Sequence, residues 1–179
     1  MSYIELIVVL SIFAVISSIM MFNYGNFQAK VDIKNLASDI ALKIVEAQKS
    51  SLSGLLPTQI PTVSPWKPSY GVYFDITTPK QFIYFVDLNN LNGYEAGEVL
   101  NTISITKNNS ISELRVFGAG CPATVNNLNI VFRRPDSSAI ITSSPALSCT
   151  ISYVQITIIS PKGATALIKL YLSGRVQVN

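Results

Sequence analysis

Between Glu5 and Lys30 the chain carries no charged residue. That run, LIVVLSIFAVISSIMMFNYGNFQA, limits every fold open to this sequence. Leu6 to Phe22 is apolar apart from three serines. As a helix rising about 1.5 Å per residue, residues 1–24 span roughly 36 Å, enough to cross a bilayer core of about 30 Å. A secretory signal would open with a basic segment and close with a small-residue cleavage site. No Lys or Arg precedes the apolar run, and no A-x-A site follows it. The segment reads as a retained hydrophobic helix, with a buried core helix as the alternative.

The helical pattern continues past this run. Ile33, Ala37, Ile40, Ile44 and Ala47 recur at steps of four and three, with Leu36 and Ala41 alongside, which makes one apolar stripe. Asp32, Asp39, Lys43, Glu46 and Lys49 fall mostly elsewhere, and Asp39 precedes Lys43 by one turn in the favourable order. Gly54 suits the position after the last turn, and Pro57 resists continuation. Residues 1–53 therefore read as one helix roughly 80 Å long. Its first half, 1–25, is apolar all round; its second half, 26–54, is apolar on one face. Gly25 is the expected weak point or bend.

Residues 55–68 contain Pro57, Pro61, Pro65 and Pro68 and read as a loop. Beyond them the apolar period changes to two. Strands are expected at 70–76, 81–87, 98–105, 112–117, 128–133, 138–142, 151–159, 165–172 and 175–178, separated by turn residues such as Asn92-Gly93, Asn108-Asn109 and Ser173-Gly174. Close spacing implies antiparallel hairpins, with the helix covering one sheet face. The expected class is α+β: a long N-terminal helix of about 53 residues packed on an antiparallel single-sheet or two-sheet domain, 55–179.

The composition removes several chemistries. Histidine is absent, which excludes a Ser-His-Asp triad, a histidine general base and a histidine-ligated metal. Two cysteines cannot make a structural zinc site by themselves. A net charge of +3 without a basic block does not argue for nucleic-acid binding. No G-x-x-x-x-G-K-[ST] motif exists, so a motor ATPase would lie in another chain. Cys121 and Cys149 are expected to pair if the domain is exported; two buried free thiols are the alternative. Asp75, Asp87, Glu95 and Glu98 resemble the carboxylates of a hydrolase only in type, since nothing supplies a substrate site. The chain is not expected to be an enzyme.

The opening MSYIELIVVLSIFAVISSIMMFNY resembles the mature N-terminus of type IV pilins and pseudopilins, in which a glutamate stands fifth inside an apolar helix. Ile4, Glu5 and Leu6 match that motif, with Met1 as the first processed residue and a leader ending in glycine already removed. The resemblance departs at Met1, where phenylalanine is common, and at Phe22, where many members carry proline. LASDIALKIVEAQKSSLSG, SYGVYFD, FVDLNNLNGYEAGE, VFRRPD and LIKLYLSGRVQV are similar to the H-type pseudopilins and FimT-like pilins. The resemblance implies the pilin fold, with two sheets in the H-type branch. It implies a homo-oligomeric helical filament rooted in a membrane, with other pilins and an assembly machinery as partners; no cofactor is expected apart from the calcium candidate given below.

Under that resemblance Glu5 pairs with the Met1 amine of a neighbouring subunit, and Met1 is the N-terminal methylation site. Leu6, Ile7, Val8, Val9, Leu10, Ile12, Phe13, Val15, Ile16, Ile19, Met20 and Phe22 form the filament core. The alternative for Glu5 is to complement its own helix N-terminus. The expected protein is a structural subunit, read as the major pilin, resident in the cytoplasmic membrane before assembly and in an extracellular filament afterwards. Adhesion, motility and DNA uptake are the implied roles. The alternatives are a minor pilin or H-type pseudopilin that primes or tips a filament of type II secretion or competence, and a monomeric membrane-anchored binding module.

Weaker signals each have a plain structural alternative. Asp87 to Glu98 resembles a calcium loop, with Asp87, Asn89 and Glu98 as oxygen donors. Its glycine is seventh and Leu91 fills a ligand place, so a polar hairpin loop is the alternative. Asn108-Asn109-Ser110 has the form of a glycosylation sequon. Arg133, Arg134, Lys162 and Arg175 are candidates for a basic surface toward DNA or an anionic polysaccharide, against ordinary solvation. Tyr70, Tyr73, Tyr84 and Tyr94 are candidates for packing or for surface adhesion.

Overall fold

Among the described residues, a single helix and two antiparallel sheets account for the regular structure. The computed structural model describes residues 2–121 and 124–179, without the side chains of Phe22 and Asn23. Helix α1 (Tyr3–Ser53) runs unbroken for 51 residues, about 77 Å at the standard rise. Gly25 does not interrupt it, contrary to the expected bend. The helix ends at Gly54, whose left-handed φ of 66° only glycine adopts at little cost. There the amides of Gly54 and Leu55 donate to the carbonyls of Ser51 and Ser50.

Nine strands follow among the described residues: β1 (Ser69–Asp75), β2 (Gln81–Asp87), β3 (Val99–Ser104), β4 (Ser110–Ala119), β5 (Asn127–Arg133), β6 (Ala139–Ser144), β7 (Thr150–Ile159), β8 (Thr165–Tyr171) and β9 (Val176–Val178). They form a five-stranded sheet in the order β3-β2-β1-β5-β6 and a four-stranded sheet in the order β4-β7-β8-β9. Alternation decides which residues face inward. Tyr70, Val72, Phe74, Leu128, Ile130 and Phe132 of the first sheet join Leu114, Val116, Val154, Ile156, Ile158, Ile168 and Leu170 of the second in one core.

Two expectations about connection need correction. The short segments between β3 and β4, and between β4 and β5, do not make hairpins; each carries the chain from one sheet to the other. β4 instead pairs with β7, a strand of equal length, from Ser110↔Ile159 to Ala119↔Thr150. Nor does the helix cover one sheet face alone. Its stripe packs on β1 and β5 of the first sheet and on β7, β8 and β9 of the second. Ile33, Ala37, Ile40, Ile44 and Ala47 are all buried there, with Leu36 and Ala41 at the margin. Ser51 fixes the far end: its buried hydroxyl donates to the carbonyl of Phe132 (2.8 Å) or Pro68 (3.1 Å).

Cys121 and Cys149 are joined in a disulfide, with their Cα atoms 5.0 Å apart. They follow β4 and precede β7, so the bridge closes the end of that strand pair. Lys107, in the β3–β4 turn, reaches back to Asp32 on the helix at 2.7 Å. This hydrogen bond holds the Asp32 carboxyl below its ordinary value of 3.8 against the opposing effect of burial, and the Lys107 charge adds to it.

Cys121→Ser should cost about 3–4 kcal/mol under oxidising conditions, from the loop that the bridge closes. Urea unfolding with and without reductant measures it; identical curves for wild type and variant under oxidation would refute it. The Asp32 contribution is complete above the unfolded value of 3.8 and is lost as the pH falls through the lower folded value. Thermal melts of wild type and Asp32→Asn should therefore converge in acid. A gap that stays constant down the acid limb would contradict the pairing.

Candidate functional site

The part of α1 that its own domain leaves uncovered is the candidate site. Among the described residues, the large apolar side chains from Tyr3 to Met21 are all roughly half exposed or more. The most apolar 18-residue window of the helix has a mean hydropathy of 2.5 and 0% of it is buried. A buried core helix is thus excluded within this fold. By length and composition this one helix can cross a membrane. Leu6, Ile7, Val8, Val9, Leu10, Ile12, Phe13, Val15, Ile16, Ile19 and Met20 all lie on the bare segment. The Phe22 side chain and Met1 lie outside the described residues.

Glu5 sits in the first turn. Its Oε2 accepts a hydrogen bond from the Ser2 backbone N–H at 2.9 Å, while the Ser2 carbonyl accepts from the amides of Glu5 and Leu6. Ser2 has extended backbone angles and stands at the N-cap. This is the carboxylate half of a capping box, and the S-x-x-E spacing that builds it was legible in the sequence. In the single chain, then, Glu5 complements its own helix N-terminus.

The 88–98 loop has a different job from the one its acids suggest. Asp87 and Glu98 are buried. The two Glu98 oxygens accept from the backbone N–H groups of Leu88 and Glu95, each at 2.9 Å. Burial pushes the Glu98 carboxyl above its ordinary range, against those two hydrogen bonds. Asn89 is turned to Glu95 and to the Leu91 amide. The positive group at the centre is the Arg133 guanidinium. It donates to Asn92 Oδ1 (2.9 Å), Asn90 O (3.3 Å) and Ser69 Oγ (3.2 Å), and lies 3.7 Å from Asp87 Oδ2. Asp87 Oδ1 and Asn90 Oδ1 are buried without a hydrogen-bond partner among the described residues. Asn89 is thus engaged with Glu95 and the Leu91 amide rather than with Asp87 or Glu98, and among the described residues no group of three or more acids or cysteines could hold a metal.

The loop seals the outer face of the first sheet. Gly71 makes room there for Phe85: a Cβ would lie 2.7 Å from both the Ile130 carbonyl oxygen and the Phe85 ring. Phe85 and Val131, its cross-strand partners, are fully buried on that face. Tyr94 of the loop packs against Tyr73 (4.9 Å between ring centroids) and Phe85 (5.7 Å). Tyr70 and Tyr84 are buried, their hydroxyls donating to Leu55 O and Ser50 Oγ. Burial pushes the Tyr70 and Tyr73 hydroxyls up to about 12. All four tyrosines are engaged in packing. Asp75 serves its own turn: burial opposes its charge, but hydrogen bonds from Thr77 and Tyr73 hold its carboxyl below the ordinary value.

The four basic residues do not all share one surface, because Lys162 lies far from Arg134. Arg133 belongs to the loop, Arg134 lies beside Gly54, and Arg175 covers the Tyr171 ring at 4.2 Å. Lys162 lies against Gly25, about 44 Å down the helix from Gly54. Sequence reasoning missed the aromatic row on the outer face of the second sheet, Phe117–Tyr153–Tyr171. The row follows from strand register, with Phe117, Tyr153 and Tyr171 directly opposite one another. Its first two rings stack at 4.5 Å and Arg175 caps the last, so the ring faces are largely used within the row.

Arg133→Met should leave the Asp87 carboxylate buried without its cation and cost about 3–5 kcal/mol. Faster hydrogen exchange at Asn92 and Tyr94 would accompany the loss. Calcium should leave the wild-type Tm where EDTA leaves it; a rise on adding calcium would overturn the account of the loop. Comparison of the chain with protein-family models, with curated proteins and with solved structures finds no match.

Proposed function

We propose that this chain is a structural subunit of a type IV pilus-like filament. The observation that carries the reading is a continuous helix whose own domain buries its second half and leaves Tyr3–Met21 apolar and bare. Burying each large apolar side chain is worth about 1.5–3 kcal/mol, so the bare segment strongly favours lipid or other copies over water. Its backbone bonds are satisfied internally, so either environment accepts it unchanged. A bilayer holds the subunit before assembly, and side-by-side helices hold it afterwards in an extracellular fibre.

Glu5 supplies the selection. A carboxylate near the bilayer core costs about 2.5–3.5 kcal/mol on insertion scales. The bond from the Ser2 N–H relieves part of that within one chain. In the assembled state the Met1 amine of a neighbour, displaced along the axis, completes the neutralisation. Because one acid stands in an otherwise uncharged run, only one stagger between helices satisfies it. The apolar residues then drive assembly and Glu5 sets its register. The long helix, the two antiparallel sheets and the exported-type disulfide all suit the pilin fold.

A second reading is favoured by one observation. The head has two sheets, which is what resemblance to the H-type branch implies. In that reading the chain is a minor pilin or pseudopilin that primes or tips a filament, and the fibre body is another protein. Shearing surface fibres and identifying their protein by mass, with the mass of the N-terminal residue for methylation, separates the two by abundance.

Glu5→Ala should leave the head folded and the helix inserted, and should abolish or sharply reduce fibres. Electron microscopy of sheared material checks it. Normal fibre numbers in this variant would defeat the register mechanism.

A further inference from the structure

Where the helix enters its head, a groove of about 570 Å³ opens between α1 and the β7–β8 turn. Phe27, Lys30, Val31 and Lys34 line its helical side, at the i, i+3, i+4, i+7 spacing of one face, and Gly163 and Thr165 line the other. A smaller recess beside it brings in Lys162. The Lys162 ammonium lies against the helix at Gly25, in the space a Cβ would fill. Among the described residues Lys30, Lys34 and Lys162 have no ion-pair partner, while the nearby acid Asp32 is already taken by Lys107. The groove is thus a concentration of unneutralised positive charge on an apolar floor, in a chain with few charges.

Its position decides the occupant. Lys30 is the first charge after the bare apolar segment, and Lys34 lies one turn beyond. Tyr24 and Phe27, both about two-thirds exposed, mark the level where apolar core gives way to headgroups. We infer that this groove holds the headgroup of an anionic phospholipid while the subunit resides in the membrane. The lysines face the phosphate, and Phe27 and Val31 face the glycerol and first methylenes. The inference rests on the membrane-inserted state proposed above. It adds that leaving the membrane requires releasing a bound lipid, so the groove opposes premature extraction.

The test uses the full-length chain in non-ionic detergent micelles, titrated with dihexanoyl-phosphatidylglycerol and, separately, with dihexanoyl-phosphatidylcholine. Binding is read from the amide shifts of Lys30, Lys34 and Gly163. Each lysine near an anionic surface contributes about fivefold. The triple variant Lys30→Gln, Lys34→Gln, Lys162→Gln should therefore bind phosphatidylglycerol about 100-fold more weakly and lose the preference over phosphatidylcholine. Lys49→Gln, an exposed site at the far end of the helix, should keep both. Equal affinity of the wild type for the two lipids overturns the inference. So does equal loss in Lys49→Gln, which would mean net charge alone, or equal binding of inorganic phosphate at matched ionic strength. If the triple variant loses fibres while the wild type shows no lipid preference, the groove belongs to a neighbouring copy and the inference fails. Flotation of the wild type with neutral phosphatidylcholine vesicles reads insertion independently of the lysines. Failure there defeats the membrane reading itself, whereas insertion without lipid preference defeats only the groove.

Discussion

The stripe Ile33–Ala37–Ile40–Ile44–Ala47 holds this molecule together, because both sheets close on it. A helix pinned along half its length by buried aliphatic side chains cannot fold its other half back onto the same head. The hydrogen-bond ladder continues without a break through Gly25, so the bare half projects as an extension of the anchored half. Two surfaces with opposite solvent preferences are thus joined by one rigid element. Among the described residues the head buries none of the apolar window, and the proposed function assigns that burial to lipid or to other chains.

Charge is scarce, and its placement divides the molecule along its length. Glu5 marks one end of the apolar run, and Lys30, Lys34 and Lys162 gather at the other. Between them lies a stretch where, in the proposed membrane-inserted state, an unpaired charge would be costly. The head uses its remaining charges locally: Lys107 ties a turn to the helix, and Arg133 organises the loop beside it. A charged fraction of 13% suits the proposed association by apolar contact, with one carboxylate setting the register.

The 88–98 loop illustrates how acids can misdirect a reading from residue type alone. Its oxygen-rich sequence suits a cation, and a cation is present, but it is a side chain from β5, 35 residues downstream of Glu98. The guanidinium has fork geometry and several donors, so it satisfies a backbone carbonyl, a side-chain amide and a hydroxyl at once. On the neighbouring strand Gly71 leaves room for the Phe85 ring, which a Cβ would meet at 2.7 Å. With no side chain at Gly71 in the way, the buried Phe85 ring packs under Tyr94.

Local chemistry made much of this protein legible from its sequence. The apolar run, the period of four and three along the helix, the Gly54 stop and the alternation of nearly every strand need only neighbours in the chain. The S-x-x-E cap at Ser2 and Glu5 was also there to be read. Tertiary structure alone decided which strands are partners. β4 leaves β3 and finds β7 because pairing depends on matched length and on faces that bury together, not on nearness in sequence. It alone placed Arg133 in the loop, put Lys162 over Gly25 and lined up the aromatic row, since each joins residues from distant segments. Sequence period assigns a residue to a face; only the packed fold determines what that face meets.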